Sequence, residues 1–157
     1  MRHTISVLVE NKPGVLARVA GLFSARGYNI TSLAVSETLS HDISYMTIVV
    51  DAEDEKILEQ IKKQLNKLID IISVTDFIKK EHIERELLLL KINYSAKEKT
   101  KIEGILNKYL AKVIWHRDNL AIIEMVGGQE EIKQLLHNLD KFEIKELVRT
   151  GKLTMAT

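Results

Sequence analysis

The spacing of apolar residues along this chain switches between two periods, and it does so twice in the same order. A period near two marks a half-buried strand, and a period near 3.6 marks one face of a helix. Ile5 to Val9 is rich in β-branched residues and reads as a strand. Asn11-Lys12-Pro13-Gly14 follows as a turn. Leu16, Val19, Ala20 and Phe23 then recur at helical spacing and mark an apolar face. Gly27 stands where a helix ends in a left-handed residue, and Tyr28 supplies the apolar contact back onto the last turn. Ile30 to Glu37 reads as a second strand, Thr38 to Asp42 as a polar turn, and Tyr45 to Val50 as a third strand. Acidic Asp51 to Glu55 suits a helix start, where carboxylates oppose the positive end of the helix dipole. Ile57, Ile61, Leu65 and Leu68 mark that helix, and Ile71 to Ile78 is a fourth strand.

The charged stretch Lys79 to Arg85 reads as a linker, after which the order repeats. Leu87 to Ile92 is a strand, and Ile102, Ile105, Leu106 and Tyr109 define a helix. Val113 to His116 and Leu120 to Val126 form a hairpin about Arg117-Asp118-Asn119. Ile132, Leu135, Leu136 and Leu139 define a helix after Gly127-Gly128, and Phe142 to Val148 closes with a strand. The spacing therefore predicts an α+β chain of two ferredoxin-like (βαββαβ) sandwiches. Residues 1–78 form the first domain, 79–85 the linker and 86–157 the second domain. Domains this small bury limited core alone, so docking or oligomerisation is expected.

Several function classes lose their basis. The 157 residues carry a formal net charge of +1, with lysines and arginines mixed among acids in both halves, so no broad basic surface argues for nucleic acid or an anionic membrane. There are no cysteines, which removes disulfides, thiolate nucleophiles and zinc-cysteine sites. The first apolar stretch is too short for a signal peptide or a membrane span, and Glu10 interrupts it. A cytoplasmic location is expected. No G-x-S-x-G elbow, G-x-G-x-x-G loop or Walker-type lysine loop is present. His3, His41, His82, His116 and His137 are scattered and make no metal-ligand spacing. Gly127-Gly128 before a helix reads as a strand-to-helix turn rather than an anion cradle, and Trp115 as a half-buried packing residue.

The turn Asn11-Lys12-Pro13-Gly14 is the sharpest local feature. Pro13 suits the first helical position and pushes Lys12 toward an extended conformation. Gly14 lets a ligand approach the backbone, and the free amides of a first helical turn favour a carboxylate. Asn11 offers both an acceptor and a donor, as an amino-acid backbone requires. Val15 and Ile30 offer apolar surface for a side chain. The residues alone leave this turn open between a ligand cradle and a simple capped turn.

Val9 to Val19 (Val-Glu-Asn-Lys-Pro-Gly-Val-Leu-Ala-Arg-Val) and Gly21 to Ile30 (Gly-Leu-Phe-Ser-Ala-Arg-Gly-Tyr-Asn-Ile) resemble the opening of acetolactate synthase small subunits. Met46 to Val50, Leu58 to Leu68, His82 to Leu87 and Val148 to Gly151 resemble the same family, while Ser95 to Phe142 matches only in general pattern. The resemblance implies that the first domain is an ACT domain that pairs with a second copy. It implies a non-catalytic regulatory subunit that binds the acetolactate synthase catalytic subunit, raises its activity and confers inhibition by valine or another branched-chain amino acid. It implies effector contacts at Asn11 and Gly14 of one copy and at Asn29 and Ile30 of the other, and Pro13, Val15 and Leu16 of the same turn are expected to complete the site. No cofactor is expected in this chain; thiamine diphosphate, Mg and FAD are expected on the catalytic subunit. The chain has Ser44-Tyr45-Met46-Thr47 where relatives commonly have Ser-Arg-Met-Thr, so whatever that arginine supports must be done differently here. The alternatives are a stand-alone ACT sensor for another enzyme, a nucleic-acid- or metal-binding regulator, and an independent enzyme.

Overall fold

The structure, a computed structural model, describes residues 2–51, 55–78 and 80–157. The first four strands are β1 (Arg2–Glu10), β2 (Ile30–Glu37), β3 (Ile43–Asp51) and β4 (Ile71–Asp76), with α1 (Val15–Ser24) between β1 and β2 and α2 (Glu55–Leu65) between β3 and β4. The sheet order is β2-β3-β1-β4, and every pairing is antiparallel. This is the βαββαβ arrangement that the apolar periods dictate. Register puts Ile5, Val7 and Val9 of β1 beside Ile48, Met46 and Ser44 of β3. Alternation then sends Ile5, Val7, Val9, Met46, Ile48 and Val50 to one face. Val15, Val19 and Phe23 from α1 and Leu58, Ile61 and Leu65 from α2 close a core over it.

The same order recurs with β5 (His82–Asn93), α3 (Lys99–Lys108), β6 (Lys112–Arg117), β7 (Leu120–Gly127), α4 (Gln129–Leu139) and β8 (Glu143–Arg149). Its strand order is β6-β7-β5-β8, and a last strand, β9 (Leu153–Ala156), also pairs with β5. Leu88, Leu90 and Ile92 alternate into a second core with Ile123, Met125, Ile102, Leu106, Ile132 and Leu135. Residues up to Ile83, together with Lys152–Thr157, form one compact unit, and Glu84–Gly151 form the other. Among the described residues no helix is long and apolar enough to cross a membrane.

Three local readings differ from the structure, each for a physical reason. The buried face of α1 is Val15, Val19, Leu22 and Phe23, one step round from the face read in the sequence, and Leu16 is left 45% exposed. The left-handed Gly14 sets where the first helical turn begins, and this rotates the face. His82 to Arg85, which reads as linker, is already strand β5. The strand runs on into Glu86, whose buried carboxylate accepts two bonds from Arg149, at 2.8 Å from Nε and 2.7 Å from Nη2. Leu153–Ala156, carried with the second domain in the sequence, lies on the first unit, where the Tyr45 hydroxyl donates to the Thr154 carbonyl at 2.8 Å. Four residues are too few to show a period. The expected acidic helix start at Asp51 to Glu55 lies mostly outside the described residues; α2 is described from Glu55.

Ile61 is fully buried at the centre of the first core. Ile61→Ala should destabilise the first unit by about 2–5 kcal/mol, through lost burial and the cavity left behind. Urea unfolding reads this as a lower midpoint, and an unchanged midpoint would contradict the packing described.

Candidate functional site

The turn after β1 is held from both sides. The Glu10 amide donates to the Asp70 carbonyl at 2.9 Å, and the Asn11 amide to the Asp42 carbonyl at 2.7 Å. The Asn11 side chain repeats the second tie, its Nδ2 donating to the His41 carbonyl at 2.7 Å. That use of the amide nitrogen leaves Oδ1 as the acceptor Asn11 can offer to a ligand. Gly14 has φ of 84°, in the left-handed region, and is the N-cap of α1. Inside the turn the Val15 amide reaches the Lys12 carbonyl at 3.3 Å, and the Arg18 amide reaches the Gly14 carbonyl at 3.0 Å. Among the described residues no backbone carbonyl receives the Leu16 or Ala17 amide, as expected for a helix start. These donors stand at the positive end of the α1 dipole.

The electrostatics of the turn are mixed. The Lys12 ammonium bonds Glu10 Oε2 at 2.7 Å, and this bond, with the charge of Glu10, holds Lys12 above the ordinary lysine range. Arg18, one helical turn beyond Gly14, donates from Nε to Asp70 Oδ2 at 2.7 Å. Asp70 is buried, whereas the Arg18 side chain is 46% exposed. A Cβ built on Gly14 would come within 3.0 Å of Arg18 Nη1, so the guanidinium lies directly over the bare Cα. Sequence reading missed Arg18 and Asp70. The i, i+4 spacing of Gly14 and Arg18 was the available signal for the first; only the fold brings in the second.

The structure gathers Asn11, Pro13, Gly14, Val15 and Leu16 at one end of the sheet. Val15 is 2% exposed, so its side chain serves the core, and Leu16 is the apolar side chain that faces outward. Asn29 and Ile30 lie elsewhere. Ile30 pairs with Val50, and Asn29 Nδ2 sits 3.5 Å from Asp51 Oδ2, at the far end of the nine-residue β3. The rise of an extended strand puts the two groups on the order of 25 Å apart within one chain.

The remaining candidates resolve into structural roles. The Gly128 amide donates to Glu131 Oε2 at 2.7 Å, so a carboxylate of the chain already occupies that helix start. Trp115 is an exception: it is 43% exposed on β6, a strand whose residues are all exposed, so the expected half-buried packing role is not what the fold gives it. His41 pairs with Glu37, His137 with Asp140, His82 packs on Phe77, and His3 is buried. Among the described residues no group of three or more His, Asp or Glu is placed to hold a metal ion.

Comparison with known proteins identifies the family. The model of the AHAS small subunit-like ACT domain matches residues 5–73, and that of the small subunit of acetolactate synthase matches residues 85–157. The probable acetolactate synthase small subunit of Archaeoglobus fulgidus is 46% identical over 155 residues, covering 99% of this chain and 96% of that one. The acetolactate synthase small subunit of Mycobacterium bovis is 45% identical over 154 residues, covering 98% and 91%. The crystal structure of the acetolactate synthase small subunit from Thermotoga maritima matches with a TM-score of 0.90 at 34% identity, covering 100% of this chain and 98% of that one. The first unit is an ACT domain, a class that implies regulation by amino acids. The chain as a whole belongs to the acetolactate synthase small subunit family.

Two glycines of the α1 region test the turn. Gly14→Ala forces an L residue into the left-handed region and displaces Arg18, and should destabilise by roughly 1–2 kcal/mol. A Cβ at Gly21, within α1, meets nothing within 4 Å, so Gly21→Ala should stabilise by about 0.5–1 kcal/mol. Melting temperatures moving in opposite directions support the turn geometry; equal shifts contradict it.

Proposed function

We propose that this chain is the regulatory subunit of an acetolactate synthase, and that it binds a branched-chain amino acid between two paired ACT domains. The observation that carries the effector site is the left-handed Gly14 turn, which leaves the Leu16 and Ala17 amides at a helix start a few residues after Asn11, whose Oδ1 is an available acceptor. The effector carboxylate takes the amides and the helix dipole. The effector ammonium takes Asn11 Oδ1, and Leu16 borders the side chain. The far placement of Asn29 fits a two-copy site. β2 is an outer strand, so two copies can pair β2 with β2 antiparallel. Such pairing sets the start of one β2 beside the end of the other. The end of β2 at Glu37 is in register with Ser44, which pairs with Val9. Asn29 and Ile30 of the second copy thereby arrive at the Asn11 end of the first.

In this reading the chain is non-catalytic. It binds the catalytic subunit, raises its activity and transmits inhibition by valine or a related amino acid in branched-chain amino-acid biosynthesis. Thiamine diphosphate, Mg and FAD belong to that partner, and the complex is cytoplasmic. Support comes from family membership and from the turn. Effector binding favours one arrangement of the paired copies, and it shifts the balance only by its differential affinity for the two arrangements. Coupling of this kind is typically about 1–3 kcal/mol.

Titration of the purified chain with valine should give a saturable rise in melting temperature, equivalent to about 2.7 kcal/mol at a hundredfold excess over Kd. Gly14→Asp places a negative charge where the carboxylate binds. It should abolish the rise and the inhibition while preserving activation of the catalytic subunit. An unchanged inhibition curve in Gly14→Asp would remove the effector from this turn.

A further inference from the structure

The face of the first sheet opposite its helices is lined with hydroxyls. Register and alternation place Thr4, Ser6, Ser32, Thr47 and Thr75 there, with Tyr45 and Val49 among them. Two of these hydroxyl residues are deeply covered: Ser6 is 4% exposed and Thr47 is 1% exposed. Such residues on an open sheet face would ordinarily be wet.

The segment Lys152–Thr157 lies on this face. The Lys152 amide donates to Ser32 Oγ at 3.1 Å, the Tyr45 hydroxyl donates to the Thr154 carbonyl at 2.8 Å, and the Thr157 amide donates to the Glu81 carbonyl at 3.3 Å. Thr154 itself is 4% exposed. The hydroxyls of Thr47 and Thr154 are buried and make no hydrogen bond to a protein group among the described residues. Buried polar groups are normally paired, so this face holds the segment through polar contacts rather than through an apolar fit.

Tyr45 also stands close in sequence to the candidate site. The Asp42 and His41 carbonyls hold the Asn11 amide and side chain, each at 2.7 Å. One residue past Asp42 the chain enters β3, and Tyr45 is its third residue. The loop that fixes Asn11 and the side chain that fixes β9 are therefore carried on one short, continuous run of backbone.

We propose that β9 and its flanks form a strap on the hydroxyl face, latched by the Tyr45 hydroxyl, and that this latch carries effector occupancy at the Asn11 turn onward to the residues before Lys152. The proposal rests on the effector reading above. It makes Tyr45 a positioning residue that touches no effector. A short run attached at both ends suits such a role, because coupling needs an element whose equilibrium both ends bias.

The test uses the full-length chain, alone and reconstituted with the catalytic subunit, with L-valine as the probe. Tyr45→Phe removes only the hydroxyl, and Ser32→Ala removes the second tie. In both variants hydrogen exchange at the Lys152 and Thr157 amides should accelerate. The melting rise with valine should persist in the isolated chain, and inhibition of the complex by valine should weaken about fivefold or more. Inhibition as strong in Tyr45→Phe as in the wild type overturns the proposal, whatever the exchange rates. So does loss of the melting rise in Tyr45→Phe alone, which would make Tyr45 part of the binding site. A wild-type complex indifferent to valine overturns the effector reading and this proposal together, whereas a responsive wild type beside an equally responsive variant overturns only the proposal.

Discussion

Everything proposed for this chain depends on how β1 ends. The strand is paired on both sides, with β3 and with β4, so its backbone has little freedom before the last residue. At that residue the Glu10 amide is taken by Asp70 and the next amide by Asp42. These carbonyls come from the α2–β4 connection and the β2–β3 turn, so the exit of β1 is fixed by two other parts of the unit. The turn that follows is placed with the precision of the sheet, and the left-handed Gly14 can aim the start of α1 at a defined spot. A loop attached only at its ends would hold the same amides with no fixed direction. Preorganised donors of this kind bind without an ordering cost, which is what gives weak individual contacts their use.

Architecture was legible in the sequence because both halves keep strict periods. Alternation is plain in Ile5, Val7 and Val9, and all three are at most 1% exposed. Ile30–Glu37 coincides with β2 as read. The helix face in the sequence stands one step out, since Leu16 and Val15 are equally apolar and only the Gly14 geometry decides which faces inward. The strand at His82 is hidden by charge. Glu86 is buried in the fold, and the partner that permits this, Arg149, stands 63 positions away. Long-range pairing of this sort leaves no local period. The same limit applies at the candidate site: Asn11 and Gly14 declare themselves as a turn, whereas Asp70, 52 positions from Arg18, enters only through the fold.

The separation of Asn29 from Asn11 carries a second consequence. A ligand needing both cannot be bound by one copy, since β3 lies between them along its full length. Binding and pairing are then linked: whatever favours the paired state raises affinity, and ligand in turn favours pairing. A small unit with an outer strand such as β2 is suited to this, because an unpaired edge is available for a second strand without rearrangement of the core. Sensitivity to an amino acid then requires no cavity inside either unit.

The two faces of the first sheet divide the labour. One is packed by Phe23, Leu58, Ile61 and Leu65 in a close apolar fit, and interfaces of that kind resist continuous deformation. The other carries the hydroxyls of Thr4, Ser6, Ser32, Thr47 and Thr75 beside Tyr45 and Val49. A packed apolar face holds one arrangement because any shift opens voids. A polar face loses less on separation, since water can take over its hydrogen bonds. Movement within the unit should therefore fall on the hydroxyl face, while the helix face keeps the Asn11 turn in place. A regulatory unit needs that asymmetry: a site that stays put and a surface whose attachment can change.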